Sequence, residues 1–130
     1  MNCSIPSNTL FVKDCKKYFG ELLTPLGYQL KSCEMKELFA KIIYENRSIC
    51  RRIEIENACW PTDYGYSLFI YNTQSDDYNI LINVPWTKED ADNIFLKKSY
   101  EFIDGHEELI DMFSGKKWLK YNGILYKIRE

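Results

Sequence analysis

The chain has 130 residues, with 17 basic and 19 acidic side chains and a formal net charge of −2. This length fits one domain, which buries roughly two thirds of its unfolded surface and can form a core without metal or disulfide support. Hydrophobic residues make up 45% of the chain and aromatic residues 15%, which excludes the composition of disordered proteins. No apolar run reaches the roughly 18 residues of a membrane span, and the N-terminal residues do not resemble a secretory signal. We therefore expect a single cytoplasmic domain over residues 1–130.

The first predicted element is an amphipathic helix over residues 8–23. Its apolar residues recur at spacings of three and four, with lysine and acidic residues between them. Ser7 or Asn8 can cap the first amides, while Pro25 and Gly27 mark the end of the helix.

From Tyr28 the pattern changes to short segments rich in β-branched and aromatic residues. Five strands of an antiparallel meander are predicted, over residues 28–33, 38–44, 48–57, 66–73 and 78–84. In the third segment Ile49, Arg51, Ile53 and Ile55 fall on one face, so Arg51 interrupts an apolar surface. Either Arg51 lies at a strand end or a bulge shifts the register there.

Two helices and a hairpin are predicted for the rest of the chain. Thr87 and Asp90 resemble a capping box for a helix that Gly105 stops, and residues 106–113 form a shorter helix. Asn122 and Gly123 between alternating segments predict a hairpin turn, because a type I′ turn needs two residues that tolerate positive φ. Strands and helices do not alternate, so the predicted class is α+β: an N-terminal helix, a largely antiparallel five-strand meander, two helices and a final β-hairpin.

Catalytic and metal-binding motifs are weak or missing in this sequence. The five cysteines form no C-x-x-C pair and the chain has one histidine, His106, so the familiar zinc patterns cannot be written. Phosphate-binding glycine loops and hydrolase motifs are also missing. We expect no cofactor or metal and no catalytic residue, and we interpret the cysteines as small apolar core residues. Cys59 is the candidate for a reactive thiol, although a thiolate needs a base that the sequence does not place beside it.

Charge is strongly segregated along the chain. Residues 1–52 carry 9 basic and 5 acidic side chains, residues 53–115 carry 3 and 13, and residues 116–130 carry 5 and 1. If the acids of the middle segment gather at one end of the sheet, they form a patch that steers a basic partner. The alternative is that they lie in solvated loops and at a capped helix start.

The loop between the third and fourth predicted strands places Trp60 and Tyr64 around Pro61 and Asp63. One interpretation is a lid that folds back on the sheet. The other is a contact surface, because exposed tryptophan and tyrosine in loops often anchor partners.

The segments "FGELLTPLGYQL", "LFAKIIYEN" and "RRIEIEN" resemble the start of small bacterial α+β domains, some of which are immunity proteins of toxin systems. In these a helix closes on L-x-P-x-G-[FY] and leads into an antiparallel sheet. The resemblance covers Lys13 to Asn57 and carries over no catalytic residue. It implies a binder whose partner is a toxin, often a basic nuclease.

We therefore expect a stoichiometric protein-binding module, an immunity protein that occludes a basic toxin domain. The expected contact surface combines acids for steering with aromatics for anchoring: Trp60, Asp63, Tyr64, Asp76, Asp77, Trp86, Glu89 and Asp90. Two alternatives are a small enzyme with a site near Cys59 and a nucleic-acid-binding regulator that uses the basic terminal segments. The negative net charge argues against nucleic acid, and we expect no membrane partner.

Overall fold

A helix leads into an antiparallel meander, and two further helices precede a last short strand. The structure is a computed structural model that describes residues 8–37, 39–58, 64–85, 93–120 and 124–126, with only the backbone for residues 8, 64, 85 and 124–126. The elements are α1 (Asn8–Leu23), β1 (Gln29–Lys36), β2 (Phe39–Asn46), β3 (Arg51–Ala58), β4 (Tyr64–Asn72), β5 (Asp77–Pro85), α2 (Ile94–Asp104), α3 (Glu107–Phe113) and β6 (Ile124–Tyr126). The predicted α+β class is confirmed, and the five strands of the meander agree with their predicted positions to within three residues.

The sheet has the strand order β1-β2-β3-β4-β5-β6. Neighbours from β1 to β5 are antiparallel, whereas β6 pairs with β5 in parallel through Ile80–Ile124 and Ile82–Tyr126. The described part of the predicted final hairpin differs from expectation, because residues 117–120 form no strand and β6 pairs with β5. The predicted turn at Asn122 and Gly123 lies outside the described residues. A parallel neighbour requires a long crossover, which α2 and α3 supply.

One face of the sheet packs against the helices. Residues directly opposite each other in antiparallel strands share a face, and the row Ile42, Ile55, Leu68 and Ile82 crosses four strands with every side chain fully buried. Helix α1 sets its apolar stripe on this face, including Phe11, Cys15, Phe19 and Leu23, each fully buried. The apolar stripe of α1 is therefore buried against the apolar side chains that alternate along the strands.

Arg51 is the first residue of β3, so the strand-end interpretation is correct. The β2–β3 register shows no shift. The guanidinium is buried and donates hydrogen bonds from Nε to the Met112 carbonyl at 2.9 Å and from Nη2 to the Lys117 carbonyl at 3.2 Å. It also lies 5.0 Å from the ring centroid of Trp118. Arg51 thereby joins the start of β3 to the end of α3 and to the segment that follows.

The turn after α1 depends on Gly27. This residue has a φ of 97°, and a Cβ placed there would come within 2.9 Å of Asn46 Nδ2. The same Nδ2 donates to the Leu26 carbonyl at 2.9 Å. Only glycine adopts this backbone region and leaves room for that amide, so Gly27 fixes where β1 begins beside β2.

The later helices follow the prediction in part. Helix α2 begins at Ile94 after Asn93, whose Nδ2 donates to Asp14 Oδ2 of α1 at 3.2 Å. The predicted capping box of Thr87 and Asp90 lies outside the described residues. Among the helices described, none combines the length and apolar character needed to cross a bilayer.

Candidate interaction surfaces

The predicted contact surface is described only at Tyr64, Asp76 and Asp77. Trp60, Asp63, Trp86, Glu89 and Asp90 lie outside the described residues, as does Cys59. Tyr64 is the first residue of β4, and its backbone lies opposite Pro85 at the end of β5.

Asp76 and Asp77 lie at the other end of β4. They sit at the turn between β4 and β5, where Asp77 pairs with Asn72. The eight steps from Tyr64 to Asn72 span about 26 Å at the rise of an antiparallel strand. Asp76 and Asp77 therefore lie at the opposite end of β4 from Tyr64, while the other acids of the expected patch, Asp63, Glu89 and Asp90, lie outside the described residues. The sequence shows how many residues separate Tyr64 from Asp76 and Asp77, but not that β4 lies between them and places them at its two ends.

Asp77 is engaged by the basic segment that precedes β6. Its carboxylate pairs with the Lys120 ammonium and accepts a hydrogen bond from Trp118 Nε1 at 3.3 Å. These two bonds hold the pKa of Asp77 below its usual range. Asp76 is exposed in a left-handed conformation with a φ of 60°. Of the two neighbouring acids, Asp77 is thus bound within the molecule.

A second acidic and aromatic surface, which we name the Tyr100 surface, was not predicted. It consists of Tyr18 and Glu21 from α1 with Tyr100, Glu101 and Asp104 from α2. The rings of Tyr18 and Tyr100 lie 5.5 Å apart at an angle of 30°. Burial, followed by the carboxylates of Asp104, Glu21 and Glu101, raises the pKa of Tyr100, so the three acids act on one phenol.

The helical spacing of Tyr100, Glu101 and Asp104 was visible in the sequence. The contribution of Glu21 was not, because it depends on how α1 packs beside α2. Glu21, Glu101 and Asp104 are exposed and form no ion pair among the residues that the structure describes. The same surface also carries a cation, because Lys17 Nζ lies 5.4 Å from the ring centroid of Tyr18.

On the face of the sheet away from the helices, basic and acidic side chains form ion pairs with one another. Lys41 Nζ lies 3.0 Å from Glu54 Oε1 and 3.3 Å from Glu56 Oε1, and Arg52 Nε lies 2.7 Å from Glu54 Oε2. Burial opposes the charged form of Lys41, but Glu54 and Glu56 together raise its pKa. Arg52 also covers the ring of Tyr71 at 4.2 Å. Cross-strand ion pairs therefore occupy the centre of this face.

The described cysteines and His106 lie in different environments. Cys15 is buried, which raises the pKa of its thiol, whereas Cys33 is exposed. His106 stacks on Phe102 with the ring centroids 5.2 Å apart and directly precedes α3. In the described part of the chain no three metal-ligating side chains cluster. Cys15 is thus a core residue, as expected, whereas the expectation is wrong for Cys33, which is exposed, and for Cys50, which is partly exposed.

Comparison with protein-family models, with curated proteins and with solved structures found no match to this chain.

Proposed function

We propose that this protein is a stoichiometric protein-binding module, an immunity protein that occludes a basic toxin domain. The resemblance of residues 13–57 to immunity-type domains and the concentration of 13 acidic side chains in residues 53–115 support the proposal. A nuclease is one such toxin, because its substrate groove is basic.

The Tyr100 surface is the observation that carries the proposal. Charged groups on a surface raise the rate of encounter with a partner of opposite charge, while packed aromatic side chains slow dissociation. Here the carboxylates of Asp104, Glu21 and Glu101 raise the pKa of a partly buried tyrosine, Tyr100, whose ring lies 5.5 Å from the ring of Tyr18 at an angle of 30°. The surface has both components that an inhibitor of a basic protein requires.

The loop residues form the other part of the proposal. Trp60, Asp63, Tyr64, Trp86, Glu89 and Asp90 are proposed to contact the same partner, together with Asp76. The described geometry already separates two groups, because Asp76 and Tyr64 lie at opposite ends of β4. Variants at each group can therefore identify which surface the partner covers.

A salt-dependent binding experiment tests the proposal. The tagged protein is used to capture proteins from its native lysate at low and moderate salt, and a captured basic protein is purified for kinetics. The triple variant Glu21→Gln, Glu101→Gln and Asp104→Asn should slow association by roughly tenfold at low salt, with a smaller effect at high salt because salt screens exposed charges.

Two control variants make the result specific. Glu108→Gln removes one exposed acid of α3 that belongs to neither proposed contact group and should change the rate less. Lys97→Gln removes a positive charge one helical turn before Glu101 and should raise the rate. If no basic protein binds at either salt, the proposal fails. If the triple variant associates as fast as the wild type, the Tyr100 surface is not the contact.

A further inference from the structure

Strand β1 forms one edge of the sheet and is fully exposed. All eight residues from Gln29 to Lys36 are exposed, and among the described residues β1 pairs only with β2. The outer side of an edge strand presents backbone amide and carbonyl groups that can pair with another extended chain. Natural sheets protect such edges by shortening or covering them, or with bulges and charged side chains. Within the described residues β1 is neither short nor covered, but it carries lysines and a register shift between Leu30 and Ser32.

Two grooves run beside this strand. The first, of about 530 Å³, is lined by residues that include Leu30, Lys31, Glu45 and Arg47. The second, of about 470 Å³, is lined by Ser32, Cys33, Glu34, Lys41 and Ile43. Both are lined by β1 together with residues between 41 and 48, so they lie over the β1–β2 pair rather than at the outer edge itself.

The start of β1 carries an excess of positive charge. Lys31 Nζ lies 3.2 Å from Glu45 Oε2, and Arg47 Nε lies 3.0 Å from Glu45 Oε1. Two cations thus share one carboxylate, and the Arg47 side chain is 89% exposed. An acidic side chain on an incoming segment would complement this end of the strand.

Exposed apolar side chains lie on the other face of β1, away from the face that carries Lys31. Leu30 and Met35 are 46% and 54% exposed. They lie opposite Tyr44 and Ala40 in the register, which places them on the helix-packed side of the sheet. An added strand with apolar residues at alternate positions would cover them.

We propose that β1 accepts an extended segment of the partner protein as an added antiparallel strand, with an acidic side chain of that segment beside Lys31 and Arg47. This inference rests on the proposed binding function, because it names where a chain of the partner attaches. Recognition by strand addition draws affinity from backbone hydrogen bonds and specificity from alternate side chains. An antiparallel addition extends the pattern that β1 to β5 already follow.

Charge disfavours one way in which β1 could pair with β1 of a second copy. The register of β1 shifts between Leu30 and Ser32, which leaves Ser32–Lys36 as its regular part. An antiparallel pair of identical strands centred on that part would place Glu34 opposite Glu34 of the second copy. Like charges directly opposite each other destabilise a strand pair. Charge therefore disfavours this register of self-pairing.

Titration with designed peptides, followed by nuclear magnetic resonance, tests the inference. The probe is a capped ten-residue peptide of alternating valine and threonine with one aspartate near its C-terminus, the end that an antiparallel strand places beside Lys31. The position control has the same composition with the aspartate near its N-terminus. Two backbone controls carry N-methyl groups on alternate amides. In one version the methylated amides lie on the edge of the peptide that faces away from β1, and in the other they lie on the edge that faces β1.

At millimolar peptide we expect shifts of amide resonances confined to residues 29–36 and 45–48, and slower amide exchange along β1. The position control should bind about threefold more weakly, as expected for one exposed ion pair. One of the two N-methylated versions should lose roughly tenfold or more in affinity, because hydrogen-bond donors are removed. Arg47→Ala should remove the difference between the two aspartate positions.

Several results would overturn the inference. They are an absence of shifts at millimolar peptide, shifts centred on another surface, or equal binding by both N-methylated versions and the parent peptide. Doubling of the molecular mass with protection of β1 as protein concentration rises would assign the edge to a second copy instead. These outcomes do not depend on capture of a basic partner, so failure here is distinguishable from failure of the proposed function. A captured partner that leaves β1 exchange unchanged would also count against strand addition.

Discussion

Arg51 shows how one buried side chain can hold three segments together. Its Nη1 donates to the carbonyls of Ile49 and Cys50 at 3.2 Å, in addition to the bonds to Met112 and Lys117. The Met112 carbonyl lies in the last turn of α3, where the helix dipole favours a positive charge. Several carbonyl acceptors around one side chain favour arginine over lysine, because the guanidinium is planar, always charged and has five donors in fixed directions.

Replacing this arginine should therefore be costly. Arg51→Met should lower the free energy of unfolding by about 2–4 kcal/mol, because buried carbonyls lose charged donors. The matched control is Arg47→Met, whose side chain is exposed and forms one surface ion pair, with an expected cost below about 1 kcal/mol. Urea denaturation of both variants measures the difference. Equal losses would show that the Arg51 bonds contribute no more than a surface pair.

At the scale of elements, the segment before β6 is attached to the sheet by side chains rather than by a hairpin. Asp77 binds Lys120 and Trp118, and Asn79 Nδ2 donates to the Leu119 carbonyl at 2.9 Å. The sequence predicted a turn at Asn122 and Gly123 from local pattern alone. Pattern could not show that β5 offers a free edge and side-chain anchors at its start, because both depend on tertiary contacts.

Neighbouring acids in the β4–β5 turn provide a paired test of this attachment. Asp77→Asn should speed amide exchange in residues 116–120 and 124–126, because it weakens the bonds to Lys120 and Trp118. Asp76→Asn keeps a residue that tolerates the left-handed backbone and should leave exchange in those segments unchanged. Hydrogen exchange measured by mass spectrometry compares the two variants. The same exchange rates in both would contradict the anchoring role of Asp77.

The Asp77→Asn variant also tests how the stability of the protein depends on pH. Folding lowers the pKa of Asp77, so its stabilising contribution is present above the unfolded pKa of about 3.9 and is lost as pH falls through the lower folded pKa. The stability deficit of Asp77→Asn relative to the wild type should therefore shrink as pH decreases from 6 to about 2. Denaturation of both proteins across this range measures it. A deficit that stays constant would show that the charge of Asp77 is not responsible.

For the whole molecule, the sequence predicts the strands and the hydrophobic core better than the arrangement of charges on the surface. Strand positions were visible because rows such as Ile42, Ile55, Leu68 and Ile82 require strict alternation along each strand. The Tyr100 surface was missed because Glu21 and Tyr100 are far apart in sequence. Charge segregation was also misleading in one respect, since Asp77 of the acidic segment is bound by Lys120 of the basic one. Surface electrostatics depends on tertiary proximity, which periodicity does not report.

A single buried cluster joins α1, the sheet, α2 and α3, so the protein should unfold in one step. Phe113→Ala, at a fully buried position, should cost about 3–5 kcal/mol. Circular dichroism and tryptophan fluorescence should report the same reduced midpoint, because helices and strands share the cluster. Two transitions with different midpoints would indicate separate folding units.

The parallel pairing of β6 with β5 has a consequence during synthesis. Strands β1 to β5 are consecutive, so each can pair with its predecessor as it leaves the ribosome. The outer edge of β5 must instead wait for Ile124–Tyr126, which are made after both later helices. A nascent chain therefore exposes this hydrogen-bonding edge until both later helices and residues 124–126 have been made, and that interval is when a chaperone would protect it from pairing with other chains.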